Sequence, residues 1–383
     1  MFAVAVASFT RVPVLPNIGA DLSLSAGDLG LLTAAFGLGR LLTDLPAGRI
    51  ASSVSPRRGL AGAGISLAAA FALFATAQSF GQALAASALV GCASALTNTT
   101  GMYAFATAAD ARRRGANMAL FSSALMSGQT LGPAAGGALD ALAGWRGAMA
   151  AAGGVGVAVA AISIGRLRIT APPASQRDRT TPTAATATDG PPPDHPREPV
   201  ALPTRWELAA IAATPFTVFF VIGGVTQTLV PLIGHRELGL SASTIGIALA
   251  AGGAMRFPGA WVAGLGSDRY SRRLVLVPTL LLVALGAAVL ALGAGTGGWI
   301  AAIVVLALGS SAISVAAAAL ADRVPPERLG RELGIFRLTG DAGLLAGPIL
   351  AGFLYGASGT ALAAGVTAAF AAASALATLR LMR

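Results

Sequence analysis

The sequence predicts an all-α membrane protein: twelve transmembrane helices arranged as two pseudo-symmetric six-helix bundles. Composition is the first observation behind this. Of 383 residues, 55% are hydrophobic and 11% charged, where a soluble domain carries about a quarter of its residues charged. Mean hydropathy is +0.73. The second observation is the number of apolar runs, because a hydrocarbon core of roughly 30 Å needs about 20 apolar residues per helix. The third is an internal repeat.

Twelve runs of that length are bounded by charged or turn residues. In the first half they cover 1–20, 26–50, 59–79, 81–108, 115–139 and 144–168. The second half gives 206–233, 243–266, 273–294, 298–321, 330–354 and 359–380. The first run starts at Met1 with no basic segment ahead of it and contains Arg11, Pro13 and Pro16, so it reads as a short or truncated span and not as a cleaved leader. Between the halves, 169–204 holds nine of the 21 prolines and several charges. Nothing there can bury a core, and the expected organisation is an N-terminal bundle 1–168, a disordered linker 169–204 and a C-terminal bundle 205–383.

The repeat supports two equivalent halves. A shift of 216 residues lays Asp21 to Leu31 on Glu237 to Ile247, Arg40 on Arg256 and Gly48 on Gly264, and a shift of 215 lays Gly128 to Pro133 on Gly343 to Pro348. Matches at charged positions as well as apolar ones imply parallel repeats of the kind found in transporters.

All 26 basic residues are arginine, and the formal net charge is +10. About twenty of these arginines lie at span ends that alternate to one side, among them Arg57, Arg58, Arg269, Arg272 and Arg273. Only Arg146 and Arg236 lie at the other side. Because cytoplasmic loops retain positive charge, both termini and the linker are expected in the cytoplasm. The basic balance is then orientation, and no nucleic-acid partner is expected. The single cysteine, Cys92, and the two histidines form no metal cluster. His195 in the linker reads as a solvated residue. The absence of lysine removes Schiff-base chemistry and the lysine of a phosphate-binding loop. With no paired-carboxylate, Ser/His or metal constellation inside the spans, neither an enzyme nor a cofactor is expected.

At this point the chain resembles the major facilitator superfamily of secondary transporters over essentially its whole length. Gly264-Leu-Gly-Ser-Asp268-Arg269-Tyr-Ser-Arg272-Arg273 matches the family's signature loop of glycine, aspartate and paired arginines. The corresponding Gly48 to Arg58 stretch carries Ser52 in place of the aspartate. Gly128, Gly132, Pro133, Gly136 and Gly137, with Gly347 and Pro348 in the second half, resemble the glycine-proline motif of exporting antiporters. The resemblance implies alternating access, with these residues, Arg57, Arg58 and the loop acting in the conformational change. The physical reading is that glycines four apart let backbones approach and proline bends the helix; plain close packing, or a topological role for the loop charges, would use the same residues. The basic residue that many proton-coupled exporters carry in the fourth helix is absent, and Ser87 lies near that position.

Ionisable groups at bilayer depth are functional candidates by default. Six qualify: Arg11, Arg40, Asp44, Arg256, Arg337 and Asp341. Arg40 with Asp44 and Arg337 with Asp341 are each four apart, on one helix face. If the second and eleventh helices pack antiparallel, as the resemblance implies, Arg40 lies level with Asp341 and Asp44 with Arg337, giving a two-rung bridge between halves. The alternative is that each pair is satisfied within its own helix. Asp44 and Asp341 are the groups able to couple a proton, since arginine holds its own. Arg11 and Arg256 would suit an anion, with Asn98, Gln129 and Gln227 completing a cavity; Gln227 is the repeat equivalent of Arg11. Thr97, Thr99 and Thr100 are expected to bond back to their own helix.

Two readings follow. One is a proton- or ion-coupled exporter of a small organic solute. The other is an organic-anion exchanger or facilitator in which Arg11, Arg40 and Arg256 bind substrate. A non-transporting membrane sensor is a third, lesser possibility. The expected partners are membrane lipid, a small and possibly anionic solute, and protons or a counter-ion; the expected setting is a monomer in a bacterial plasma membrane.

Overall fold

A computed structural model describes residues 1–107, 114–165, 205–293 and 295–382. The linker 169–204 with His195, and the loop arginines Arg112 and Arg113, lie outside the described residues. Among the described residues every regular element is helical.

The elements in order are α1 (Phe2–Phe9), α2 (Arg11–Asp21), α3 (Ala26–Ser53), α4 (Pro56–Ala75), α5 (Phe80–Thr107), α6 (Arg114–Gly165), α7 (Arg205–Val221), a π-helical segment (Ile222–Leu229), α8 (Val230–Arg236), α9 (Ala242–Ala254), α10 (Arg256–Arg269), α11 (Arg272–Ala291), α12 (Gly295–Gly309), α13 (Ala312–Arg323) and α14 (Pro326–Leu381). They resolve into twelve crossings. α6 turns back on itself at Gly144 (φ 68°) and α14 at Gly359 (φ 77°), so each crosses twice. These glycines are repeat mates at a shift of 215, and both adopt the left-handed backbone that glycine tolerates without penalty. α3 carries four charged residues, Asp28, Arg40, Asp44 and Arg49. Its start is fixed by a capping box between Ser25 and Asp28.

Four crossings are broken, and three of the breaks have a proline just beyond them. The first crossing divides at Thr10, where Pro13 cannot donate to the Phe9 carbonyl. The eighth divides at Met255, where Pro258 likewise cannot reach Ala254. In the seventh, the chain widens to the π-helical segment ahead of Pro231, and Val230 N–H reaches back five residues to Val225 O. The tenth is interrupted at Ser310 and Ser311, whose hydroxyls return to Ala307 O and Leu308 O. None of these breaks was evident from apolar run length.

The glycine-rich face of the fifth crossing explains its composition. Methyl groups at Gly128, Gly132 and Gly136 would collide with the first crossing at Phe2, Phe9 and Thr10, so this face admits only glycine. The second half repeats the arrangement: Gly343 and Gly347 lie on the backbone of Phe216 and Phe220 in the seventh crossing. Apolar side chains cluster mainly within each half, around Phe71, Phe74 and Met149 in one and around Ile211, Leu229 and Leu276 in the other.

Candidate functional site between the two halves

Two seams join the halves. In one, α3 packs antiparallel along the first limb of α14; in the other, the first limb of α6 packs along α9. Gly30 of α3 lies under the Pro348 carbonyl and Gly246 of α9 under the Pro133 carbonyl, too close in both cases for a methyl group. Across the face opposite the arginine-rich one, Ser243 Oγ donates to Gly137 O at 2.8 Å and Arg236 Nη2 to Leu24 O at 3.4 Å. On the same face Gly137 lies against the Ala242 backbone, too close for a methyl group.

Deeper in the α3/α14 seam lies a charge ladder. Arg40 Nε donates to Asp341 Oδ1 at 2.9 Å, and Arg337 Nε to Asp44 Oδ2 at 3.0 Å. Both bonds run between helices, so the within-helix alternative is not what the structure adopts. Antiparallel packing is the physical reason: each (i, i+4) pair meets a partner of reversed sign order. Asp341 is 3% exposed and Asp44 7%. Each carboxylate keeps one buried oxygen without a hydrogen-bond partner, Asp44 Oδ1 and Asp341 Oδ2, and the two carboxyl groups lie close enough to interact directly.

Arg11 is not the isolated cation expected from sequence. Its Nη2 donates to Gln227 Oε1 at 3.1 Å, and its guanidinium lies 4.2 Å from the centre of the Phe36 ring. Arg11 and Gln227 are repeat mates, 216 residues apart. Residues related by a pseudo-twofold axis meet one another when they lie near that axis, and this signal in the repeat could have foretold the contact. Arg11 Nε remains buried and unpartnered, so its charge is bonded but not neutralised.

Arg256 starts α10 at the break in the eighth crossing. No carboxylate lies within ion-pairing distance of it among the described residues, and its buried Nε has no partner. It lines a small central cavity with Gln129, Thr130 and Gln227, walled by Phe9, Leu249 and other apolar side chains. About 20 Å³ of that space admits the centre of a water molecule, roughly enough for one water. Thr130, which sequence reasoning did not single out, has a buried hydroxyl without a partner. Asn98 on α5 is buried with an unpartnered Oδ1 and is not among the cavity-lining residues. Thr97 bonds back to Ala93 O at 2.6 Å as expected, whereas the buried Thr100 hydroxyl has no partner. Ser87 donates to Leu32 O at 2.6 Å, tying α5 to α3.

The signature loop between α10 and α11 bonds within its own half. Arg272 donates to Asp268 at 3.0 Å, to Asp322 at the end of α13 at 2.8 Å, and to Ser267. Arg269 lies beside Tyr270. In the other half Arg57 donates to Ile164 O. Neither loop bonds to the opposite half in these contacts.

The sequence matches the family model described as Major Facilitator Superfamily over residues 1–309 and again over 215–383. A chloramphenicol resistance protein of Streptomyces lividans is 27% identical over 289 residues, 73% of this chain and 68% of that protein. Among solved structures, a bacterial homolog of the human lysosomal transporter Spinster, inward-facing and occupied, superposes with a TM-score of 0.74 at 17% identity, covering 99% of this chain and 91% of that one. A mutant of the nucleoside transporter NupG superposes with a TM-score of 0.75 at 11% identity, covering 100% and 99%. These structural likenesses concern the fold.

Proposed function

Because the chain belongs to the Major Facilitator Superfamily, a family of multi-pass membrane transporters, we propose that it exports a small organic solute by alternating access in exchange for protons. The observation that carries this reading is the Arg40–Asp341 and Asp44–Arg337 ladder, which joins the moving halves and contains the two acidic side chains deep in the α3/α14 seam. A proton taken up by Asp44 or Asp341 removes the negative charge from one rung, which weakens it and favours separation of the seam. Resealing returns the proton to water on the other side. The units that rock are 1–168 and 205–383, joined by the 169–204 linker, in a monomer oriented with its arginine-rich face in the cytoplasm of a bacterium.

Pro133, Gly137 and Pro348 act as the bearing surface of that motion in the two seams, and Gly128, Gly132, Gly136 and Gly347 hold the fifth and eleventh crossings tight against the first and seventh within each moving half. Asp268, Arg269, Arg272 and Arg273 brace the C-terminal half, and Arg57 and Arg58 the N-terminal one. Arg11, Arg40, Asn98, Gln129, Gln227 and Arg256 form the solute site. Export is supported by similarity to a protein named for chloramphenicol resistance.

A second reading is an organic-anion exchanger, favoured by the guanidinium groups of Arg11 and Arg256, which no carboxylate neutralises among the described residues. The two are separated in everted membrane vesicles holding an imposed pH gradient and supplied with organic acids and neutral amides. Coupled export predicts that a transported solute dissipates the gradient. Solute exchange with no effect on the gradient favours the exchanger.

A further inference from the structure

The two seams are built to one register and diverge at the level of the charge ladder. Gly30 under Pro348 in the α3/α14 seam corresponds to Gly246 under Pro133 in the α6/α9 seam. Two turns deeper, Gly37 meets the backbone of Leu344 and Leu345, and its mate Gly253 meets Thr130. The following turn brings Arg40 to Asp341. By the same shifts, its counterpart is Arg256 opposite Met126, and the turn after that, Asp44 and Arg337 in one seam, is Ala260 and Ser122 in the other. One seam therefore holds four charges that cancel. The other keeps one arginine and lacks its carboxylate.

We infer that the transported solute carries a carboxylate, and that this group occupies, beside Arg256, the place Asp341 occupies beside Arg40. The inference rests on the transporter reading above and names the substrate class for the same cavity. A half-buried guanidinium whose Nε is buried and which has no counter-charge among the described residues is costly at this depth, and a planar carboxylate matches its paired donors. Arg256 Nε and the Thr130 hydroxyl, both buried and unpartnered, are the available donors, and the cavity lining contains no acidic side chain. The seam also has slack at this level. A methyl group at Gly37 would lie 2.9 Å from Leu344, against 3.5 Å from Thr130 for one at Gly253. Beyond Met255, α6 makes at most marginal contact with α10, so this seam splays where Arg256 sits. The neutralised α3/α14 seam has no such vacancy.

The test uses purified full-length protein and matched probes, benzoate with benzamide and phenylacetate with phenylacetamide, alongside neutral chloramphenicol. Thermal stabilisation is expected from the acids and not from the neutral compounds, with affinity reduced about tenfold or more in Arg256→Gln. Met126→Asp supplies the missing carboxylate from within. It is expected to raise the melting temperature without any solute and to abolish stabilisation by the acids, an outcome independent of the probes chosen. Should Met126→Asp fail to fold, Arg256→Gln with acids and amides decides alone. Equal stabilisation by acids and amides, or acid binding unchanged in both variants, overturns the inference. Flux of neutral solutes without acid binding overturns it while leaving the transporter reading intact. Acid binding at Arg256 with no flux of any solute retains the site and sinks that reading.

Discussion

Arg40 on the second crossing and Asp341 on the eleventh meet across the interface between halves, Nε to Oδ1 at 2.9 Å, with the carboxylate 3% exposed. Breaking a buried pair by removing one partner costs about 3–5 kcal/mol, because the other charge is stranded. Arg40→Ala and Asp341→Ala are each expected to lower detergent melting temperature strongly, and the double variant to recover much of the loss. Arg337→Ala strands Asp44, itself only 7% exposed, so it is expected to cost about as much as Arg40→Ala. Melting curves of the four proteins check both statements; additive losses would remove the coupling.

Gln227 supplies the acceptor for Arg11. Gln227→Leu leaves a buried guanidinium short of a hydrogen bond and is expected to destabilise by about 1–3 kcal/mol. Gln227→Glu neutralises Arg11 and is expected to keep the fold while depressing transport of acids. The comparison is read by melting temperature and by solute flux.

Glycine positions differ sharply in what they tolerate. A methyl group at Gly246 would strike the Pro133 carbonyl, whereas nothing lies within 4 Å of one at Gly48. Gly246→Ala is expected to prevent closure of the α6/α9 seam and to abolish transport. Gly48→Ala is expected to leave transport and melting unchanged, as flux and melting assays on both would show.

Arg272 joins Asp268 and Asp322 near the surface at 22% exposure. Surface ion pairs contribute only about 0–1 kcal/mol, so Arg272→Ala is expected to shift melting little. If the loop braces the C-terminal half during alternation, solute turnover falls in the same variant, measured in reconstituted vesicles.

The twelve crossings were legible in sequence because run length fixes them. The four-residue spacing of Arg40 with Asp44 and Arg337 with Asp341 left two pairings open, within a helix or between helices; the antiparallel packing that selects the pairing between helices came from the family resemblance and not from the spacing. The breaks at Thr10 and Met255 and the π-helical segment were not legible. Proline predicts a bend nearby, but whether the helix divides or widens depends on its neighbours: Gly223 and Gly224 of the π-helical segment pack on Pro348 and Gly347. The Arg11–Gln227 bond was half legible. Their repeat relationship was visible, and their nearness to the pseudo-twofold axis was not. Thr130 lacked any signal, since a lone threonine in an apolar helix ordinarily bonds back to its own turn.

Proton coupling through Asp44 and Asp341 is tested most directly by solute movement across proteoliposomes under imposed pH gradients, comparing the parent protein with Asp44→Asn and Asp341→Asn. Antiport through this pair predicts that acid on the destination side accelerates export by the parent protein. Both variants should lose that acceleration while still exchanging solute for solute. Undiminished acceleration in both variants would contradict a role for either aspartate.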